Sequence, residues 1–321
     1  MELYNLKCKR FLNEYKGDEE MTTKGTKRFI WGFLIVWVML MTIFTFNDLN
    51  LSKALYNEHE SRFGWFFEVY GEHPAFLVLF AAGSILFSTV RNERLIKKIM
   101  VRLVSGLFIL LSGFGIITIT LTRGYGLDGD HVMINSLIIT VLFATLCQWL
   151  LNRIAVQTLR QYNRAAWAAI VIVFAEILLV NVLKIFWGRM RFRNMEGDYS
   201  LFTSWFLPQG IQENGVTTEA YKSFPSGHSA NGWTMMLWMM FMPFANKWRN
   251  IMLVCAVVWG ISTSTSRVIM GDHFATDVLF GAFITITCML LFCKLFKVDL
   301  YPNSQPNATA LLKDKNAPYF R

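Results

Sequence analysis

The feature that most constrains this chain is a series of apolar runs, each about long enough to cross a lipid bilayer. Charged residues, Pro, Gly or Asn bound every run. A chain inside lipid must satisfy its own backbone hydrogen bonds, and a helix does so within one segment. The pattern therefore predicts an all-α fold, a polytopic membrane helical bundle with about eight transmembrane helices. The predicted spans are 29–47, 75–90, 103–122, 134–152, 166–187, 229–246, 250–266 and 277–296.

Composition supports this fold class, because 54% of the 321 residues are hydrophobic and only 17% are charged. A soluble domain of this length is usually less apolar and richer in charge. The first run follows Lys27-Arg28 and shows no small-x-small cleavage pattern before Asp48. It is therefore predicted to be an uncleaved anchor and not a signal peptide.

The net charge of +9 has a topological explanation. Placing the N-terminus in the cytoplasm puts most Lys and Arg in cytoplasmic segments, as the positive-inside rule requires. Attraction to anionic cytoplasmic lipid accounts for the same excess, and no nucleic-acid partner is predicted. We expect a cell (plasma) membrane protein with cytoplasmic termini and outward loops at 48–74, 123–133, 188–228 and 267–276.

Three short stretches on the predicted outer side carry groups suited to binding an anion. Lys184 ends an apolar run and Arg191 follows seven residues later, so both would share a helix face if the helix continued through Gly188. Arg189, Arg191 and Arg193 run against the general charge bias. Arginine offers a planar fork to phosphate oxygens, so an anionic headgroup is the expected partner.

The second stretch is Pro225-Ser226-Gly227-His228, directly before a predicted helix. Backbone N–H groups at a helix N-terminus favour anions. Gly227 allows close backbone approach, and Ser226 adds a hydroxyl. A histidine here can give a proton to a leaving oxygen, because its ordinary pKa near ~6.5 permits both protonation states.

The third stretch contains Arg267, then His273 and Asp277, which are spaced four residues apart. That spacing places both on one helix face. A carboxylate so placed can accept the proton of one imidazole nitrogen, and the other nitrogen then presents its lone pair. Such a pair can be an oriented nucleophile toward phosphorus or an ordinary hydrogen bond within a helix. Its co-occurrence with the other two stretches on one predicted membrane face gives the first interpretation its value.

Together these stretches resemble the type 2 phosphatidic acid phosphatase superfamily, which includes the vanadium-dependent haloperoxidases. The family pattern is Lys-x6-Arg-Pro, then Pro-Ser-Gly-His, then Ser-Arg-x5-His-x3-Asp. The second and third blocks are complete here, from Pro225 and from Ser266-Arg267. The first block has Lys184 and Arg191 in register, but Phe192 stands where the family usually has Pro.

The resemblance implies a phosphohydrolase that needs no metal and no cofactor. It implies that His273 attacks phosphorus, Asp277 orients it, and His228 protonates the leaving group and later activates water. It assigns phosphate binding to Lys184, Arg191, Ser226, Gly227 and Arg267, with Arg189 or Arg193 as auxiliary residues. Five cysteines without a CxxC pair predict no disulfide or zinc framework.

The family resemblance also implies a division of the chain. Membrane members commonly have six helices with the lysine ending the third, whereas here it ends the fifth run. An additional helical pair before it, with 103–152 as the candidate, preserves the sidedness of the site. The predicted parts are a cytoplasmic leader 1–28, N-terminal transmembrane helices 29–160 with interfacial outer loop 48–74, a catalytic core 161–297 and a cytoplasmic tail 298–321.

Glu176 is a further candidate, because a carboxyl inside a membrane helix is functional by default. The structural alternative is a protonated, hydrogen-bonded carboxyl. The favoured function is a phosphatase for lipid phosphates or diphosphates such as undecaprenyl diphosphate, phosphatidylglycerol phosphate or phosphatidate. The alternatives are a lipid phosphotransferase using the same phosphohistidine, and a non-catalytic lipid-binding or transport protein. The sequence does not indicate an oligomeric state.

Overall fold

The structure is a computed structural model that describes residues 30–57, 61–211, 218–242 and 246–298. Within these ranges the chain is helical and contains no strand, which confirms the all-α bundle. The whole predicted cytoplasmic leader, 1–28, and all of the predicted tail except Val298 lie outside the described residues.

Ten α-helices are described. They are α1 (Ile30–Leu55), α2 (Arg62–Tyr70), α3 (His73–Thr89), α4 (Leu95–Ile119), α5 (Asp130–Leu151), α6 (Val156–Arg160), α7 (Asn163–Trp187), α8 (Gly227–Trp233), α9 (Asn246–Ile269) and α10 (Ala275–Phe296). A π-helical turn, Thr120–Gly124, extends α4. A 3-10 helix, Thr234–Met240, continues α8.

Seven helices in the described ranges are long and apolar enough to cross a membrane. They account for seven of the eight predicted spans. In the remaining one, 229–246, the chain up to Met240 is the short α8 followed by its 3-10 continuation, and 243–245 lie outside the described residues. Met236, Leu237, Met239 and Met240 of this segment are buried in the protein. Its hydrophobicity therefore serves the core of the bundle, which hydropathy alone does not distinguish from contact with lipid.

The core lies between α3, α7, α9, α10 and the α8 segment. Small residues line the inner face of α7, where Ala165, Ala166, Ala168 and Ala169 are buried and permit close helix packing. α4 packs on α3, and α5 packs on α4 and α3, so this pair lies outside the core. α1 packs on α10, where the Trp37 indole donates to the Leu279 carbonyl at 3.1 Å.

One buried charge network ties the helix ends together at the end of the bundle that holds the predicted outer loops. Arg189, just after α7, donates to Asp277 in the first turn of α10. Its Nη2 lies 3.0 Å from Oδ2 of Asp48 near the end of α1. Asp48 also accepts the Thr276 N–H at 3.0 Å. All three charged side chains are at most 2% exposed.

We expect Asp48→Ala to lower the free energy of unfolding by about 3–5 kcal/mol, because it leaves part of a buried guanidinium without its carboxylate. Asp48→Asn retains an acceptor and should cost less. Unfolding in detergent, followed by helical circular dichroism, measures both. Asp198→Ala removes an exposed carboxylate of the same loop region and is the matched control. Equal stabilities for Asp48→Ala and the control would contradict the importance of the network.

Candidate active site

Both predicted catalytic histidines and most of the predicted anion-binding residues gather at one end of the bundle. We call this set the two-histidine site. It is built from the end of α7, the turn before α8, the end of α9 and the loop before α10, and it comprises Lys184, Arg191, Ser226, Gly227, His228, Arg267 and His273.

The turn at 225–228 is fixed against the start of α10. The Ser226 N–H donates to the Asp277 carbonyl at 3.1 Å. The Ser226 hydroxyl oxygen caps α8 by accepting the Ser229 N–H at 3.3 Å. Gly227 is partly exposed and faces the end of α7, since a Cβ added to it would lie 3.6 Å from Lys184 Nζ. The second and third sequence blocks are thereby locked together, with the lysine beside them.

His273 is oriented by a backbone carbonyl. Its Nδ1 donates to the Ser223 carbonyl oxygen, so Nε2 carries the lone pair. The side chain is 3% exposed. Burial lowers the pKa of His273 well below its ordinary value, and the positive charges of Lys184 and Arg191 lower it further. The imidazole is therefore neutral near pH 7, which is the form that can act as a nucleophile.

Asp277 does not make the direct hydrogen bond that its spacing predicts. Its Oδ2 is 4.0 Å from His273 Nδ1. It instead accepts from the Ser223 hydroxyl at 2.6 Å and from the Phe274 N–H at 2.9 Å. The reason is that α10 begins at Ala275, so His273 precedes the helix and does not share its face. Asp277 reaches the histidine through Ser223, whose carbonyl oxygen holds the ring.

The condition for a common helix face of Lys184 and Arg191, a helix that continues through Gly188, is not met, because α7 ends at Trp187. Gly188 has a φ of 58°, a left-handed conformation that closes the helix and turns the chain. Arg191 is instead brought to the site by its own N–H, which donates to the Ala220 carbonyl at 2.7 Å. Phe192, in the usual position of Pro, is buried against Phe274 and Tyr56. Aromatic packing thus holds the loop after Arg191.

Asp272 organises the arginines. Its Oδ1 lies 3.2 Å from Arg191 and 3.0 Å from Arg193, and its Oδ2 lies 2.9 Å from Arg267. Arg267 is buried and also lies 3.8 Å from Glu68. One carboxylate therefore holds three guanidinium groups in place, which offsets part of their mutual repulsion.

Two of the auxiliary candidates lie away from the two-histidine site. Each nitrogen of the Arg189 guanidinium donates to protein, to the Thr203 carbonyl, to Thr276 and Asp277, and to Asp48. Glu176 lies roughly 12 Å below Lys184 along α7, at 1.5 Å per residue. It is 1% exposed, and its Oε2 has no hydrogen-bond partner among the described residues. Arg189 therefore belongs to the buried charge network, and Glu176 lies deeper in α7.

A second carboxylate lies beside His228. Glu72 Oε2 is 3.5 Å from His228 Nε2. Arg123, at the end of the π-helical turn, places its Nη1 3.3 Å from the same nitrogen and 3.6 Å from Glu72. Asn231 donates to Glu72 at 3.0 Å. Burial lowers the pKa of His228 to about 4, and the Glu72 carboxylate opposes that shift.

Sequence reasoning missed five residues of this arrangement. Glu72 and Asp48 had a signal, since they are acidic residues near the predicted outer ends of apolar helices, where a charge needs a partner. Arg123 had the same signal. Asp272 directly precedes His273, the predicted nucleophile. Its position therefore draws attention only once His273 has been identified. Ser223 acts largely through its backbone carbonyl, and that carries no sequence signature.

The arrangement can bind and transfer a tetrahedral anion. A buried neutral histidine, a second histidine, a lysine and two arginines face one another across a glycine turn. Within the described residues, no group of three or more His, Cys, Asp or Glu side chains could hold a metal ion. The fold and site together define a polytopic membrane protein in which two histidines lie among clustered cations.

Comparison with known proteins finds a family model that matches part of the chain. Residues 165–299 match the model of the PAP2 superfamily. The resemblance seen in the motifs is thereby confirmed. Asp48, Glu72 and Arg123 precede the matched segment.

The chain is also similar to a lipid A 4'-phosphatase of Bacteroides thetaiotaomicron, with 27% identity over 116 residues. The match covers 36% of this chain and 46% of that protein. The chain therefore spans about half the length of the curated relative it matches. No solved structure matches the chain significantly.

We expect Gly281→Ala in α10 to reduce any activity of the two-histidine site, although Gly281 lies outside the sequence blocks. An added Cβ would overlap the Ser226 carbonyl oxygen and lie 3.2 Å from the Ala230 nitrogen. Displacing the turn by about 1 Å is expected to cost roughly 100-fold. Turnover of the purified variant, with its stability, measures the effect.

The matched control is Gly106→Ala in α4, where the added Cβ meets only Phe87 at 4.0 Å. This variant should retain activity and gain up to about 1 kcal/mol from better helix propensity. Full activity in Gly281→Ala would show that the turn is not held by its contact with α10.

Proposed function

We propose that this protein is an integral-membrane lipid phosphatase that hydrolyses lipid phosphates or diphosphates through a phosphohistidine on His273. The observation that carries the proposal is the environment of His273. The ring is buried, held as the Nδ1–H tautomer by the Ser223 carbonyl, and lies within the field of Lys184 and Arg191. A neutral nucleophile surrounded by cations suits attack on an anionic phosphorus centre. The match to the PAP2 superfamily supports the same class.

In the first step, His273 Nε2 attacks phosphorus and the bond from phosphorus to the leaving oxygen breaks. His228 gives its proton to that oxygen. Lys184, Arg191 and Arg267 hold the nonbridging oxygens, with the Gly227 N–H and the Ser226 hydroxyl. The positive charge of the phosphorylated ring is stabilised by the Ser223 carbonyl, which accepts its Nδ1–H.

In the second step, water attacks phosphorus and the bond from phosphorus to Nε2 breaks. His228, now neutral, takes the proton of that water. The products are inorganic phosphate and the dephosphorylated lipid, or the lipid monophosphate if the substrate was a diphosphate. Both histidines return to their starting states, so no redox partner is needed.

The proposed substrate class is a phosphate monoester or diphosphate on a membrane lipid. Long apolar helices surround the site, and the matched relative is a lipid A 4'-phosphatase. Phosphatidate, phosphatidylglycerol phosphate, undecaprenyl diphosphate and a lipid A phosphate are the candidates to compare. We propose further that the site faces the outer side of the cell membrane, in keeping with the distribution of Lys and Arg.

The test is phosphate release by the detergent-purified protein from these four lipids, with excess chelator present. We expect the wild-type protein to release phosphate from at least one lipid and to be insensitive to the chelator. His273→Ala should lose about 10⁴-fold or more, because it removes the attacking nitrogen. His228→Ala should lose about 100-fold to 10⁴-fold, as for a lost general acid.

Thermal unfolding of both variants should match the wild-type protein, as a control for folding. Activity that persists in His273→Ala would contradict the phosphohistidine. Activity that chelator abolishes would contradict metal independence. Loss of lipid phosphate without release of inorganic phosphate, when a lipid or sugar acceptor is supplied, would favour phosphotransfer over hydrolysis.

A further inference from the structure

In the proposed reaction His228 must first give a proton and later take one. The structure places a carboxylate and a guanidinium beside one of its ring nitrogens. Nε2 lies 3.5 Å from Glu72 Oε2 and 3.3 Å from Arg123 Nη1. Protonated, the ring can donate Nε2–H to the Glu72 carboxylate and give its Nδ1 proton to the leaving oxygen. The neutral ring that remains keeps Nε2–H on Glu72 and presents the Nδ1 lone pair to water, and the positive charge of Arg123 beside it favours this uncharged form.

Both partners are themselves held in place. Glu72 directly precedes α3, its side chain is 15% exposed, and its other oxygen accepts the Asn231 amide at 3.0 Å. Arg123 lies 3.6 Å from the same carboxylate. Asn231 is one turn after His228 on α8, so the carboxylate is tied to the helix that carries the histidine. The Glu72 group is therefore fixed with respect to the ring.

We propose that Glu72 and Arg123 act as positioning residues for His228, Glu72 favouring its acid form and Arg123 its base form. Both residues lie outside the segment that matches the PAP2 superfamily. The N-terminal helices thus complete the two-histidine site. This inference rests on the proposed phosphatase function, because it assigns His228 its acid and base roles.

The charges that face His228 come from several elements. Glu72 raises its pKa, while Arg267 and Arg123 lower it, and Asp272 raises it. His273 lies close enough for its charge to interact with His228. Lys184 is beside Gly227, the residue before His228. A bound phosphate adds negative charge and raises the pKa of His228 on binding, so that the acid form is populated in the complex.

Removing Glu72 and removing Arg123 should therefore shift the pKa of His228 in opposite directions. Glu72→Gln keeps an acceptor for Asn231 but removes the negative charge, which lowers the pKa of His228. Arg123→Gln removes a positive charge, which raises it. A unit charge within 4 Å shifts a pKa by about one unit or more.

The experiment is a single-turnover measurement over a pH series. The purified protein is in excess over whichever candidate lipid phosphate the wild-type protein hydrolyses best. The rate of lipid dephosphorylation falls at high pH as His228 loses its proton. We call this fall in rate at high pH the alkaline limb. We expect it to move to lower pH by about one unit in Glu72→Gln and to higher pH by about one unit in Arg123→Gln. Glu72→Asp, which keeps the charge, should restore the position of the limb.

Asp198→Asn is the matched control, because its carboxylate is exposed and bonded to Ser200. Its limb should coincide with that of the wild-type protein. A purely structural role for Glu72 and Arg123 would lower the rate at every pH and leave the limb where it was. That result, or shifts in the same direction, would overturn the inference. If Glu72→Gln does not fold, the half-exposed Arg123 still tests it.

The wild-type protein separates this inference from the proposed function. No dephosphorylation by the wild-type protein, or full activity in His273→Ala, would refute the phosphatase itself. If dephosphorylation by the wild-type protein depends on His273 but the alkaline limb does not move in either variant, only the roles of Glu72 and Arg123 would be refuted.

Discussion

The structure depends on the burial of one cation, Arg189, between two carboxylates from distant helices. The guanidinium donates to Asp277 on α10 and to Asp48 on α1, and all three side chains are almost wholly excluded from solvent. Such a group is costly to bury and is tolerated only when its donors are satisfied. Asp277 in turn accepts from Ser223, whose carbonyl oxygen orients His273. The chain of contacts from α1 to the proposed nucleophile is therefore continuous.

The same physical problem, gathering cations in one place, recurs at the surface of the site. Without counter-charges, repulsion between the positive charges of Lys184, Arg191 and Arg267 would push these side chains apart. Asp272 supplies one carboxylate to Arg191, Arg193 and Arg267. Glu219 lies 3.2 Å from Arg191 on the exposed side. These contacts fix the arginines beside the lysine at the end of α7 and the glycine turn. In the proposed function, the cations are therefore already oriented when an anion binds.

How much of this could be predicted depends on how local each signal is. The blocks Pro225 to His228 and Arg267 to Asp277 are short, and their spacing fixes the residue types that must meet. Lys184 and Arg191 would share a helix face only if the helix continued past Gly188. They do not, because Gly188 ends α7 between them. The direct bond from His273 to Asp277 failed for a similar reason, since the helix begins two residues after the histidine.

Other parts of the site depend on tertiary packing and have no local pattern. Glu72 and His228 are separated by 156 positions in the chain (228 minus 72), and only the packing of α3 near α8 brings them together. Hydropathy found seven spans that the structure contains, but it also treated 229–246 as one regular span. Its described part up to Met240 is a short α-helix and a 3-10 helix that contribute to the protein core, with methionines as apolar as lipid-facing residues.

The most direct test of the account is to trap the covalent intermediate. A phosphorus-radiolabelled lipid phosphate is mixed with excess protein, the reaction is stopped in alkaline detergent, and the labelled peptide is identified by mass spectrometry. We expect an alkali-stable, acid-labile phosphoryl group on His273 in the wild-type protein and no labelled protein in His273→Ala. A phosphoryl group on another residue, or turnover that leaves no label on the protein at any time, would contradict it.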